Sequence, residues 1–101
     1  VSHILAVQVT SAAQEGGEVL AWQLKRLCEG APEGREEKTI IIGPAPAFIG
    51  RINDIFRYVL YVKNPDYEVL IRLKNRMEHF LKEEDRKDES VQFDFDPMSS
   101  F

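Results

Sequence analysis

Two carboxylates, Asp94 and Asp96, stand two residues apart in SVQFDFDPM, near the end of the chain. In an extended segment that spacing puts both on one face, where a pair can share a proton or hold a divalent cation. A metal site needs a further ligand of the right type, and neither histidine supplies one. His3 opens an apolar run, and His79 lies in a charged stretch without cysteine or carboxylate at metal spacing. The pair is therefore read as a polar strand face turned to solvent, and no metal ligand is expected. The single cysteine, Cys28, falls in an apolar helical pattern and is expected to pack rather than react. There is no GxxxxGK[ST] loop, and Gly16-Gly17 lacks the rest of a dinucleotide fingerprint. With no nucleophile–base constellation either, no catalytic residue is expected, and these residues are not expected to hydrolyse ATP.

Phosphate binding is the second chemistry the residues allow. Residues 48–76 hold six basic side chains, Arg51, Arg57, Lys63, Arg72, Lys74 and Arg76, against three acidic ones. That local excess of three sits in a chain of net charge −4, between acidic flanks. A basic stretch of this kind attracts phosphate. Phe48 and Arg51 lie just beyond a stiff GPAPA segment, and an aromatic beside a cation suits base stacking with phosphate contact. The candidate nucleic-acid residues are Phe48, Arg51, Arg57, Lys63 and Arg72. The competing reading is local helix pairing, with Glu68–Arg72 and Glu78–Lys82 as i,i+4 partners. On charge alone both stay open.

The elements that must position these side chains follow from periodicity. HILAVQVTS (3–11) alternates, with Leu5, Val7 and Val9 on one face and Ile4, Ala6 and Gln8 on the other, as in a strand. Gly16-Gly17 predicts a loose turn. EVLAWQLKRLCEG (18–30) spaces Leu20, Leu24 and Leu27 as one helical face with Val19 and Trp22 on its flank, and Gly30 and Pro32 end it. APEGREEK predicts a solvated loop, and KTIIIG (38–43) a short β-branched strand. The prolines after Gly43 fix their own φ and lack N–H donors, which predicts a rigid connector between two strands. FRYVLYVK (56–63) alternates as a strand. Asp66 is placed as the N-cap of a long helix carrying Leu70, Leu73, Met77, Phe80 and Leu81 on one stripe. The last strand sets Val91, Phe93 and Phe95 against Gln92, Asp94 and Asp96 and stops at Pro97. The order βαββαβ predicts an α+β, ferredoxin-like domain, a four-stranded sheet with two helices on one face.

At 101 residues, 44% hydrophobic and 30% charged, the chain is sized for one domain with one core. No apolar run approaches the roughly 20 residues that span a bilayer, and no signal peptide is visible. One cysteine forms no internal disulfide, so an oxidising compartment is not indicated. The chain reads as strand almost from Val1, which predicts a fragment of a longer protein cut close to its first element.

The phrase GPAPAFIGRINDIFRYVLYVK (43–63) resembles the C-terminal region of the PriA family, the bacterial primosomal replication-restart helicases (primosomal protein N′). Members carry a GPAPAP-like turn, a spaced basic residue and a YR-aromatic strand. Gly43-Pro44-Ala45-Pro46-Ala47 and Phe56-Arg57-Tyr58 match these, although AFIG stands where many members have a third proline. The ending is similar to the family's closing strand through Asp94, Asp96 and Pro97, and SHILAVQVTS to its opening strand. The resemblance implies that residues 1–101 are a single C-terminal domain of a cytoplasmic bacterial DNA helicase, itself without enzymatic activity. ATP, magnesium and zinc would be bound by upstream domains of that parent. Expected partners are branched or forked DNA, the helicase core of the same chain, the tail of single-stranded-DNA-binding protein and other primosome proteins; none is a membrane. The two positions from which members offer a basic and a polar residue to that tail fall near Tyr67 and Ile71. Neither is of the family's type, so no tail-binding residue is carried over. Two classes of function stand at this point. One is DNA binding and docking in replication restart, with recognition of stalled forks and primosome assembly. The other is a ferredoxin-like protein-interaction module without a nucleic-acid role.

Overall fold

The structure is a computed structural model that describes residues 2–52, 55–84 and 86–97; the side chains of residues 48–52 lie outside the described set. Four strands, β1 (His3–Ser11), β2 (Ile40–Ile52), β3 (Ile55–Asn64) and β4 (Glu89–Phe95), alternate with two helices, α1 (Gln14–Gly30) and α2 (Tyr67–Glu84), in the order βαββαβ. The sheet order is β2-β3-β1-β4 with every neighbouring pair antiparallel, the ferredoxin-like arrangement expected from the pattern.

Strand alternation decides which side the helices cover. Leu5, Val7 and Val9 of β1 pair with Val62, Leu60 and Tyr58 of β3, and all six are buried. They join Leu20, Leu24 and Cys28 of α1 and Leu70, Leu73 and Met77 of α2 in one core. Leu27 and Phe80 are partly buried at its rim. The two polar residues in this interior are satisfied. Ser11 Oγ accepts from Ala13 N at 3.0 Å, and Asn64 Nδ2 donates to Thr39 Oγ1 at 2.8 Å while its Oδ1 accepts from Asp66 N. Burial also holds the Cys28 thiol up at about 12, with Glu29 adding to the shift. Its sulfur lies 3.6 Å from that of Met77, so this cysteine packs as expected.

Several local expectations change. α1 begins at Gln14 rather than Glu18, so Gly16 and Gly17 are helical and form no loose turn. The reason is close packing: a Cβ on Gly17 would lie 2.8 Å from Ser11 Cβ and 3.0 Å from Tyr58 Cε2. The prolines are not a connector between strands. β2 runs on through Pro44 and Pro46 to Ile52, with breaks in register between Ile42 and Ala45 and between Pro46 and Arg51. An edge strand tolerates residues without N–H donors, and bulges absorb the mismatch. Gly43 carries the positive φ of 96° that starts the first irregularity, and the Gly43–Pro44 peptide is cis. The loop after α1 is only partly solvated, because Glu33–Arg35 forms a 3-10 turn whose Arg35 N–H donates to the carbonyl of Ala31, the residue that caps α1, and whose Glu33 pairs with Arg76 of α2. In α2, Asp66 caps the helix as expected, accepting from Glu68 N at 3.0 Å. The side-chain pairs differ from those expected: Lys74–Glu78 and His79–Glu83 form at 2.9 Å each, and neither Glu68–Arg72 nor Glu78–Lys82 does.

Asp94 and Asp96 do not make a pair. β4 ends at Phe95, and Asp96 turns out of the strand with φ 47°. Its Oδ1 accepts from Ile4 N at 2.8 Å, its Oδ2 meets His3 Nδ1 at 2.8 Å, and its own N–H donates to the Ile4 carbonyl. The Ile4 N–H, with His3 second, holds the Asp96 carboxyl below its usual range. A depressed carboxylate stabilises the fold above the unfolded pKa, and that contribution is lost as pH falls through the lower, folded value. Melting across pH 2–6 should therefore show an acid loss that Asp96→Asn shrinks. Asn keeps the left-handed backbone available, so the variant isolates the charge. An acid limb identical in both proteins would remove Asp96 from the account.

Candidate nucleic-acid interface

The helices cover one face of the sheet, and the residues out of phase with the core line the other. Cross-strand register sorts this open face into rows. Ser90, Thr10 and Arg57 form the first; Gln92, Gln8, Val59 and Ala45 the second. Asp94, Ala6, Tyr61 and Ile42 form the third, and Ile4, Lys63 and Ile40 the fourth. Ile40 and Ile42 are 52% and 48% exposed, large values for isoleucines in a strand. Tyr61 is half-buried, and that burial raises its hydroxyl pKa. Ala6 and Val59 are buried among their neighbours.

The candidate residues divide between the two sides. Arg57, exposed, and Lys63, half-buried, both belong to the open face of β3, and neither forms an ion pair with a described residue. Arg72 is exposed on α2, across the sheet, near Glu33, whose carboxyl is held low chiefly by its hydrogen bond from Arg76, with the charge of Arg72 the smallest contribution. Arg76 itself is bound to Glu33 at 2.8 Å, and Lys74 to Glu78. The basic middle of the sequence is thus two surfaces, one on β3 whose cations form no ion pair with a described residue and one on α2 largely neutralised by neighbours. Phe48 and Arg51 fall in β2, and their side chains lie outside the described residues.

The neutral side chains beside the two cations were not singled out by sequence. Gln8, Thr10, Ser90 and Gln92 face one another across β1 and β4, and none makes a side-chain hydrogen bond to a described residue. The signal was present in the alternation, since these are the positions out of phase with Val7, Val9, Val91 and Phe93. On the helical side, Val19 and Trp22 are exposed along α1, with Lys25 Nζ 5.0 Å from the Trp22 ring centre. Among the described residues no three of His, Cys, Asp and Glu gather as a metal site, and no helix is long and apolar enough to cross a membrane.

The family model described as the primosomal protein N C-terminal domain matches residues 1–98. No curated protein matches the chain. Among solved structures, a de novo designed protein, Foldit4, superposes with a TM-score of 0.71 at 13% identity, covering 98% of this chain and all of that one. A hydantoinase/carbamoylase family amidase from Burkholderia ambifaria gives a TM-score of 0.57 at 10% identity; the match covers 93% of this chain and 27% of the amidase. At such identities these likenesses speak to the fold alone.

Proposed function

The chain belongs to the primosomal protein N C-terminal domain family, and from that membership we propose that it is the DNA-binding and docking module of a cytoplasmic replication-restart helicase, helping it recognise stalled or branched forks and assemble the primosome. The family match over residues 1–98 carries this reading. Two observations support it: Arg57 and Lys63 share the open sheet face, and neither forms an ion pair with a described residue, although the chain as a whole carries a net charge of −4. The overall charge repels DNA at long range, so binding by the protein alone should be weak, about 10⁻⁴ to 10⁻⁶ M as for non-specific contacts. Linkage to other DNA-binding domains of a parent chain raises the effective concentration and makes a weak contact useful.

The test is forked-DNA affinity across a salt series. The double variant Arg51→Ala/Arg57→Ala should bind less tightly and lower the salt slope by about two, roughly one for each phosphate left without its arginine. An unchanged slope would assign these arginines to docking or solubility, and the protein-interaction reading would then lead. The exposed Ile40 and Ile42 favour that second reading, an apolar contact with the helicase core of the same chain.

A further inference from the structure

We propose that the open face of the sheet is a platform for a single nucleic-acid strand laid along β3, with Arg57 and Lys63 on its phosphates and its bases over the residues between and beside them. This deepens the fork-binding reading and rests on it. The two cations are six residues apart on one strand face, which sets them about 20 Å from each other. Between them lies half-buried Tyr61, with the exposed Ile42 opposite it on β2: an apolar and aromatic surface that the faces of unstacked bases can cover. One widespread RNA-binding module, also a four-stranded sheet, binds in that manner, stacking two or three bases on its aromatics.

The chemistry changes across the sheet in the direction the proposal needs. From β3 toward β4 the face loses its cations and gains the amides of Gln8 and Gln92, the hydroxyls of Thr10 and Ser90 and the carboxylate of Asp94. Amides and hydroxyls both donate and accept, and a carboxylate accepts. That set matches the edges of bases and repels phosphate at Asp94. The strand's backbone is therefore placed on the β2–β3 side, with base edges reaching over β1 to β4. A duplex offers neither free base faces nor unpaired Watson–Crick edges, so this surface should prefer single strands. The set of neutral polar groups does not distinguish DNA from RNA.

The experiment is an amide-shift titration of the isotope-labelled protein at low salt with a twelve-nucleotide oligothymidylate, its oligouridylate counterpart, a twelve-base-pair duplex and forked DNA. Either single strand should shift residues 57–63, 6–10 and 90–94. Arg57→Gln/Lys63→Gln, which alters no buried group of the core, should keep a folded spectrum and weaken that binding by roughly ten-fold. Duplex binding as tight as single-strand binding would overturn the platform, as would shifts confined to residues 67–76 or 46–56. Either result leaves fork binding intact, whereas failure of forked DNA to bind in the same series would sink the broader reading as well.

Discussion

Leu73→Ala should lower the free energy of unfolding by about 2–5 kcal/mol. Leu73 has 0% exposure and sits on the buried stripe of α2 with Leu70 and Met77, facing the sheet residues that α1 also covers. Truncation removes three carbons from a region with no solvent path. The loss thus includes both the transfer term and a cavity that close-packed neighbours fill only in part. Leu27→Ala, at the partly buried rim of the same core, should cost less, because water and mobile side chains relax into the space. Urea unfolding of the three proteins measures the difference, with the slope of the transition unchanged. Equal, small losses for both variants would mean that α2 does not pack in the register described.

The core and topology were legible because two periodicities suffice for them. Leucines at helical spacing fixed the inner faces of both helices, and period-two runs fixed the inner faces of β1, β3 and β4. With right-handed crossovers, few ways of closing such a sheet remain. Failures of the reading fell where a tertiary contact overrides a local preference. Gly16-Gly17 looks like a turn until Ser11 and Tyr58 are seen to leave no room for a Cβ on Gly17. The prolines look like a rigid connector between two strands until β2 proves to be an edge strand that needs no donors there. Asp96 looks like the next residue of an alternating face, because nothing local announces that its carboxylate answers an N–H 92 residues away.

The site was legible only in part, for a related reason. Composition located an excess of cations between residues 48 and 76 but not the plane of the sheet that separates them. Arg57 and Lys63 share a face because they are an even number of residues apart on one strand, and Arg72 is removed from them because α2 packs on the other side. A residue pattern gives the first relation directly and the second only once the topology is fixed. The neutral pairs Gln8–Gln92 and Thr10–Ser90 needed register between β1 and β4, strands about 80 residues apart in sequence.

Gly34→Ala should destabilise the protein by about 3 kcal/mol or more, well above an ordinary surface substitution. Gly34 is in the 3-10 turn that follows α1, and a Cβ there would overlap the Cys28 carbonyl oxygen and stand 2.6 Å from its carbonyl carbon. Those atoms are helix backbone, so no side-chain rotation relieves the clash. Either the last turn of α1 or the 3-10 turn must move. The turn is tied on several sides: Arg35 N donates to the Ala31 carbonyl, Thr39 Oγ1 donates to the Glu33 carbonyl at 2.7 Å, and Asn64 Nδ2 donates to Thr39 Oγ1. Glu33 also holds Arg76 of α2. Shifting the turn therefore strains contacts to β3 and α2 together. Gly30, four residues earlier and at the end of α1, is the control. A Cβ there meets nothing within 4 Å, so Gly30→Ala should be neutral or stabilising by up to about 1 kcal/mol through helix propensity. Thermal melts of the two variants beside the parent sequence separate local geometry from a general intolerance of alanine in this segment. A large loss for Gly34→Ala beside no loss for Gly30→Ala is the expected result, and a Gly34→Ala midpoint within a degree or two of the parent would show that the turn yields without breaking its ties.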